Sequence, residues 1–136
     1  PLSLQDARPL LERIRDIRQR CGSDFLIYSG DDATATDAML AGADGDISVT
    51  ANVAPAQMAA MCEAALDGNA ERAHELNAAI AVLHRDLFVE SNPIPVKWAL
   101  MEMGLIDAGI RLPLTPLSAQ GQETLRAALK ECGLIQ

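Results

Sequence analysis

Apolar residues at Leu10, Ile14, Ile17 and Cys21, with Leu11 beside them, recur at helical spacing and leave the charges on the opposite face. Gly22-Ser23-Asp24 ends that helix. Phe25-Leu26-Ile27-Tyr28 is a short unbroken apolar run between polar turns, the pattern of a strand covered on both faces. Ser29-Gly30-Asp31-Asp32 turns the chain into a helix from about Ala33 to Ala41, which Gly42-Ala43-Asp44-Gly45 closes. Asp46-Ile47-Ser48-Val49-Thr50 reads as a second strand, so the segment predicts a right-handed βαβ unit.

From residue 54 the chain reads as helical. Met58, Met61, Cys62, Ala65 and Leu66 form one stripe, and Asp67-Gly68-Asn69 is a stop followed by a cap. Leu76, Ile80, Leu83 and Leu87 form the next stripe. Asn92-Pro93-Ile94-Pro95 breaks it and places Pro95 at the start of a helix that Gly104 stops. Residues 105–117, with Pro113 and Pro116, read as a loop. Ser118 opens a last helix with Leu125, Ala128, Leu129 and Cys132 on one face and Gly133 as its terminator. The order is α-β-α-β and then four helices. Two parallel strands cannot bury their own faces, so the pattern is that of the end of an α/β domain with a helical appendix.

Composition narrows the function classes. Hydrophobic residues make up 49% of the 136 and aromatic ones 3%, so the core must be aliphatic. A formal net charge of -8 and a pI near 4.6 disfavour nucleic-acid binding, because an acidic surface repels phosphates. No apolar run reaches the ~18 residues of a membrane-spanning helix, so no membrane partner is expected. Pro1-Leu2-Ser3-Leu4 has neither a basic leader region nor an initiator Met, which leads to the expectation of a cytoplasmic, cut or incomplete chain. Arg8, Arg13, Arg15, Arg18 and Arg20 cluster before residue 21 and read as a solvated helix face. Cys21, Cys62 and Cys132 form no ligand pattern and read as buried free thiols.

Four segments carry a family resemblance: Tyr28-Ser29-Gly30-Asp31-Asp32, Gly45 to Val53 (GDISVTANV), Asn92 to Trp98 (NPIPVKW), and Leu112 to Leu117 (LPLTPL). In this order and spacing the chain resembles the dihydrodipicolinate synthase family from about residue 8 to its end. The resemblance implies an α/β fold: the C-terminal part of a (β/α)8 TIM barrel, with Phe25–Tyr28 as strand seven and Ile47–Val49 as strand eight. Residues 1–53 would be the barrel portion, from helix 6 to strand 8. Residues 54–136 would be the last barrel helix and a C-terminal helical region. A full barrel takes ~250 residues, so about half would lie outside this chain.

The implied activity is that of a Schiff-base lyase that joins pyruvate to L-aspartate 4-semialdehyde, giving 4-hydroxy-tetrahydrodipicolinate for diaminopimelate and lysine biosynthesis. The implied enzyme uses no cofactor and no metal and assembles as a homotetramer. Its nucleophilic lysine and relay tyrosine would lie upstream, so no catalytic group is assigned here and the 136 residues alone are expected to be inactive. The alternatives are a sister aldolase resembling N-acetylneuraminate lyase, or a non-catalytic helical interaction module.

Two residues are candidates for substrate binding. Gly30, just past the first strand, lets a ligand approach the backbone, although a plain turn would also use glycine. Ile47 would by spacing alone be core, and the resemblance implies that it lines the pyruvate site. Asp31 and Asp32 read as helix caps rather than substrate or metal ligands. Asp44 and Asp46 read as turn residues, since no calcium-loop series follows. Lys97 reads as an ion-pair partner of Glu90 or Glu102, and Lys130 as a cation at a helix C-terminus. His74 and His84, ten residues apart on one expected helix, share no metal site and read as surface or partly buried.

Overall fold

The computed structural model describes residues 4–136; Pro1-Leu2-Ser3 and the side chains of residues 4–8, Arg8 among them, lie outside the described residues. The order is α1 (Leu4–Cys21), β1 (Tyr28–Ser29), α2 (Ala35–Leu40), β2 (Gly45–Asp46), a 3-10 turn (Thr50–Asn52), α3 (Pro55–Leu66), α4 (Ala70–Ala78), α5 (Ala81–Asp86), α6 (Ile94–Glu102) and α7 (Ala119–Glu131). β1 and β2 pair in parallel, Tyr28 with Gly45 and Ser29 with Asp46, across α2. This is the expected βαβ unit. α2 and α3 cover one face of the pair, α4 packs on α3, and α7 packs against α5 and α6.

Both strands are shorter than the apolar pattern predicts. β1 begins only at the last residue of the Phe25–Tyr28 run, and of that run only Ile27 is buried. The Phe25 carbonyl accepts from Arg18 (2.6 Å) instead of entering a ladder. β2 ends at Asp46, because the amides of Val49 and Thr50 turn to the Asp32 carboxylate (3.1 and 3.0 Å). Ser48 Oγ accepts from Ala51 N–H (2.8 Å) and starts the 3-10 turn. A side chain that offers backbone amides an alternative acceptor competes with the strand ladder.

The helical half follows its punctuation closely. Gly68 adopts φ +75°, and Asn69 Oδ1 accepts from Arg72 N–H (3.2 Å) to open α4. Ser118 Oγ accepts from Gly121 N–H (3.1 Å) to open α7, and Gly133 closes it at φ +69°. One expected helix is two: the Leu76 to Leu87 stripe breaks between α4 and α5, yet Ile80, Leu83 and Leu87 all stay buried. A single apolar cluster runs from Ile14 through Met39, Met58, Met61 and Leu83 to Leu125 and Leu129, across the boundary at residue 53.

Several side-chain expectations are corrected. Cys21 is exposed, and Cys62 and Cys132 are half-buried, because each sits at the edge of its helix stripe. Leu66, at the end of α3, is exposed. Arg18 is no solvated charge: it pairs with Asp44 (2.6 Å) and donates to the carbonyls of Phe25 and Gly42. Asp44 in turn accepts from Ile27 N–H (2.7 Å), so one ion pair ties α1 to the entrances of both strands.

Candidate functional site

The two faces of the β1–β2 pair differ sharply. Side chains alternate along a strand, so Tyr28 and Gly45 share a face on which the pairing, continued by one residue, sets Gly30 beside Ile47. The Ile47 N–H donates to the Ser29 carbonyl (2.9 Å), which holds that register. This face is open: Ile47 is 70% exposed and Tyr28 51%. A Cβ at Gly30 would meet nothing within 4 Å, whereas one at Gly45 would press on the Tyr28 ring at 3.1 Å. A side chain at position 45 would thus have to displace the Tyr28 ring slightly. Gly30 meets no such obstacle, and it leaves bare backbone at the C-terminal end of β1.

The other face carries a buried polar layer. Asp31 closes the turn before α2 rather than capping the helix itself: its carboxylate accepts from Thr34 Oγ1 (2.7 Å) and Thr34 N–H (3.2 Å), and Thr34 is the N-cap residue. Asp32 does not cap its own helix. It reaches across to Val49 and Thr50, and it is 2% exposed. The Thr50 hydroxyl bridges Asp32 Oδ2 (3.2 Å) and His84 Nδ1 (2.9 Å), and His84 Nε2 lies 3.2 Å from Asn77 Oδ1. His84 is thus buried, where a surface or partly buried position is expected, and burial lowers its pKa. Asp46 points into the same layer and is no simple turn residue: burial first, then the charge of Asp32, pushes it up to about 7. Asp44, by contrast, is held below the usual carboxylate range by Ile27 N–H and Arg18.

The Asp32–Thr50–His84 chain is invisible to motif reading. Its members are 18 and 34 residues apart, and the only local hint is an Asp placed where capping already explains it.

The remaining candidates lie elsewhere. Lys97 makes no ion pair among the described residues: Glu102 pairs with Arg126 (2.7 Å), and Glu90 accepts from Ser118 N–H (3.1 Å). Lys97 instead borders a cavity of about 470 Å³ with Ile94, Trp98, Met101 and Ile110. Arg126 stacks over Trp98, 5.1 Å from the ring centre. His74, on α4, approaches Asp37 at 3.5 Å, away from His84 on α5. Cys62 and Cys132 are pushed up by burial, which suppresses the reactive thiolate. Among the described residues no three His, Cys, Asp or Glu side chains stand close enough to hold a metal ion, and no helix is long and apolar enough to cross a membrane.

Comparison with known proteins gives this arrangement a family. The model of the dihydrodipicolinate synthetase family matches residues 2–132. The 4-hydroxy-tetrahydrodipicolinate synthase of Alcanivorax borkumensis is 64% identical over 135 residues, which are 99% of this chain and 46% of that protein. The Pseudomonas aeruginosa enzyme of the same name is 53% identical over 134 residues, 98% of this chain and 46% of its own length. The chain therefore spans about half the length of the relatives it matches. Among solved structures, the chloride-inhibited dihydrodipicolinate synthase of Acinetobacter baumannii complexed with pyruvate superposes with a TM-score of 0.88 at 55% identity, covering 92% of this chain and 43% of that one. The Thermotoga maritima dihydrodipicolinate synthase gives 0.86 at 43% identity, with the same coverages. The match falls on the C-terminal portion of these barrels, which makes β1 and β2 the last two strands of a (β/α)8 barrel. The chain belongs to the dihydrodipicolinate synthetase family.

Proposed function

We propose that these residues are the C-terminal part of a lyase that condenses pyruvate with L-aspartate 4-semialdehyde to 4-hydroxy-tetrahydrodipicolinate, and that Gly30 and Ile47 line its pyruvate pocket. One observation carries the reading: Gly30 and Ile47 stand side by side on the open strand face, at the C-terminal strand ends where barrels of this type bind substrate. Bare backbone at Gly30 suits close approach of a small keto acid, and Ile47 supplies an apolar wall. The relatives' names and the pyruvate in the Acinetobacter complex favour the same substrate.

In this reading a lysine outside residues 1–136 attacks the pyruvate ketone and water leaves, giving an imine. Loss of a methyl proton yields the enamine, which attacks the aldehyde carbon. Neither lysine of this chain suits that role. Lys97 is on α6 and Lys130 on α7, not on a strand or at a strand end. Residues 1–53 form the barrel portion and residues 54–136 the last barrel helix and helical appendix of a cytoplasmic homotetramer that needs no cofactor.

Borohydride reduction in the presence of pyruvate tests this. The intact protein gains one reduced pyruvyl group, and peptide mapping places it outside these 136 residues. An adduct on Lys97 or Lys130 overturns the reading. Gly30→Ala, whose methyl would stand in open space, raises the KM for pyruvate without lowering thermal stability; an unchanged KM removes Gly30 from the pocket.

A further inference from the structure

Behind the open strand face, two carboxylates meet with no cation between them among the described residues. Asp32 is almost fully buried, and its Oδ2 accepts the amides of Val49 and Thr50. Its Oδ1 has no donor, nor has either oxygen of Asp46, and all three atoms are shut off from solvent. Asp46 lies within hydrogen-bonding reach of Asp32. Neither carboxylate pairs with a lysine or arginine among the described residues. Two carboxylates so placed cannot both stay ionised away from water, and three orphaned acceptors would carry the full desolvation cost. A single proton between them removes both difficulties.

We propose that Asp32 and Asp46 hold one proton in common, with Asp46 as the acid donating to Asp32 Oδ1, and that this hydrogen bond locks the end of β2 that presents Ile47. The proton belongs on Asp46, because Asp32 already accepts two backbone amides that favour its charged form, whereas Asp46 accepts none. The lock is continuous with the Thr50–His84 bridge, so one polar chain links β2, the β1–α2 turn, the 3-10 turn and α5.

Among the groups that face the pair, one can relieve it in part: Ser29 of β1, the cross-strand neighbour of Asp46, lowers Asp46 when its hydroxyl turns to it, although that hydroxyl donates to the Asp31 carbonyl (3.2 Å). From the β1–α2 turn comes Asp31, which adds negative charge. From α3 comes Cys62, its thiol pushed up by burial and by both carboxylates. From α5 comes His84, which burial holds towards the neutral form. The upward shift of Asp46 to about 7 agrees with this setting.

The test is Asp46→Asn in the intact protein, since an amide donates to Asp32 at every pH. Asp46 has a folded pKa raised from 3.8 to about 7. Between those values the unfolded chain has released the proton and the folded chain still holds it. Wild-type stability relative to Asp46→Asn therefore falls as pH rises, by about tenfold in the unfolding constant per pH unit, and levels off above pH 7. A wild-type/variant ratio that stays flat from pH 4 to 8, or moves the other way, overturns the proposal. Carbon-13 NMR of the Asp46 carboxyl gives a second readout. A midpoint near 7 is expected, and one below about 5 would show an ordinary ionised side chain. Neither measurement involves turnover, so the shared proton can fail while the aldolase reading stands, and the reverse.

Discussion

In residues 25–53, two strands of two residues each leave most backbone groups without a ladder, and side chains take their place. Asp44 binds Ile27 N–H, Asp32 binds Val49 and Thr50 N–H, Ser48 binds Ala51 N–H, and Arg18 holds the carbonyls of Phe25 and Gly42. In residues 55–131, five helices bond their own backbones and are joined mainly by aliphatic packing, with His84 and Asp86 of α5 as the buried polar side chains. The difference shows what each half contributes. The helical half is a packed support whose stability comes from apolar area. The strand half is held in shape by charge-assisted hydrogen bonds so that two short strand ends stay in register.

Three substitutions can break or sharpen this contrast. Leu83→Ala should be the most damaging, because Leu83 is fully buried in the core on α5, which packs against α7 and α4. A loss of about 3 kcal/mol is expected in denaturant unfolding, from lost burial plus the cavity left behind. A loss under about 1 kcal/mol would mean that the helical half is not held by packing. Asp32→Ala comes next. It strips two backbone amides of their acceptor, at a cost of about 2 kcal/mol, and hydrogen exchange at Val49 and Thr50 should speed up while α7 stays protected. Uniform loss of protection would merge the two halves into one cooperative unit.

The smallest effect is expected for Asp44→Asn, and it carries a pH signature opposite to that of Asp46. The folded-state pKa of Asp44 is depressed by Ile27 N–H and Arg18. Its ionised form therefore contributes stability that is present above the unfolded value of 3.8 and is lost as pH falls through the lower folded value. The gap in melting temperature between wild type and Asp44→Asn should be open at pH 6 and should close below pH 4. A gap that persists in acid would separate the Arg18 clamp from the charge of Asp44.

Legibility in the sequence followed the same division. The stop and cap at Gly68 and Asn69, the cap at Ser118 and the terminator at Gly133 stand where turn chemistry puts them, because each depends on residues three or four apart. The parallel adjacency of the Tyr28 and Gly45 segments was readable from the apolar runs and the short helix between them. Strand ends were not. Asp46 to Thr50 has the composition of a strand, but its last amides were claimed by an aspartate 17 residues away. Ile47 has the composition of core, yet no described residue covers it. Lys97 has acidic residues nearby in sequence, but Arg126 and Ser118 take them first.

By itself the sequence determined the order of elements, the helix breaks other than that between α4 and α5, and the aliphatic character of the core, since these follow from periodicity, capping and side-chain stiffness within a few residues. Only the tertiary structure decided which buried charge meets which partner: Arg18 with Asp44, Asp32 with the Val49–Thr50 amides, Asp46 with Asp32. Such pairings join positions 14 to 26 residues apart, and their strength depends on how much water the surrounding helices exclude, a quantity that exists only once the chain has packed.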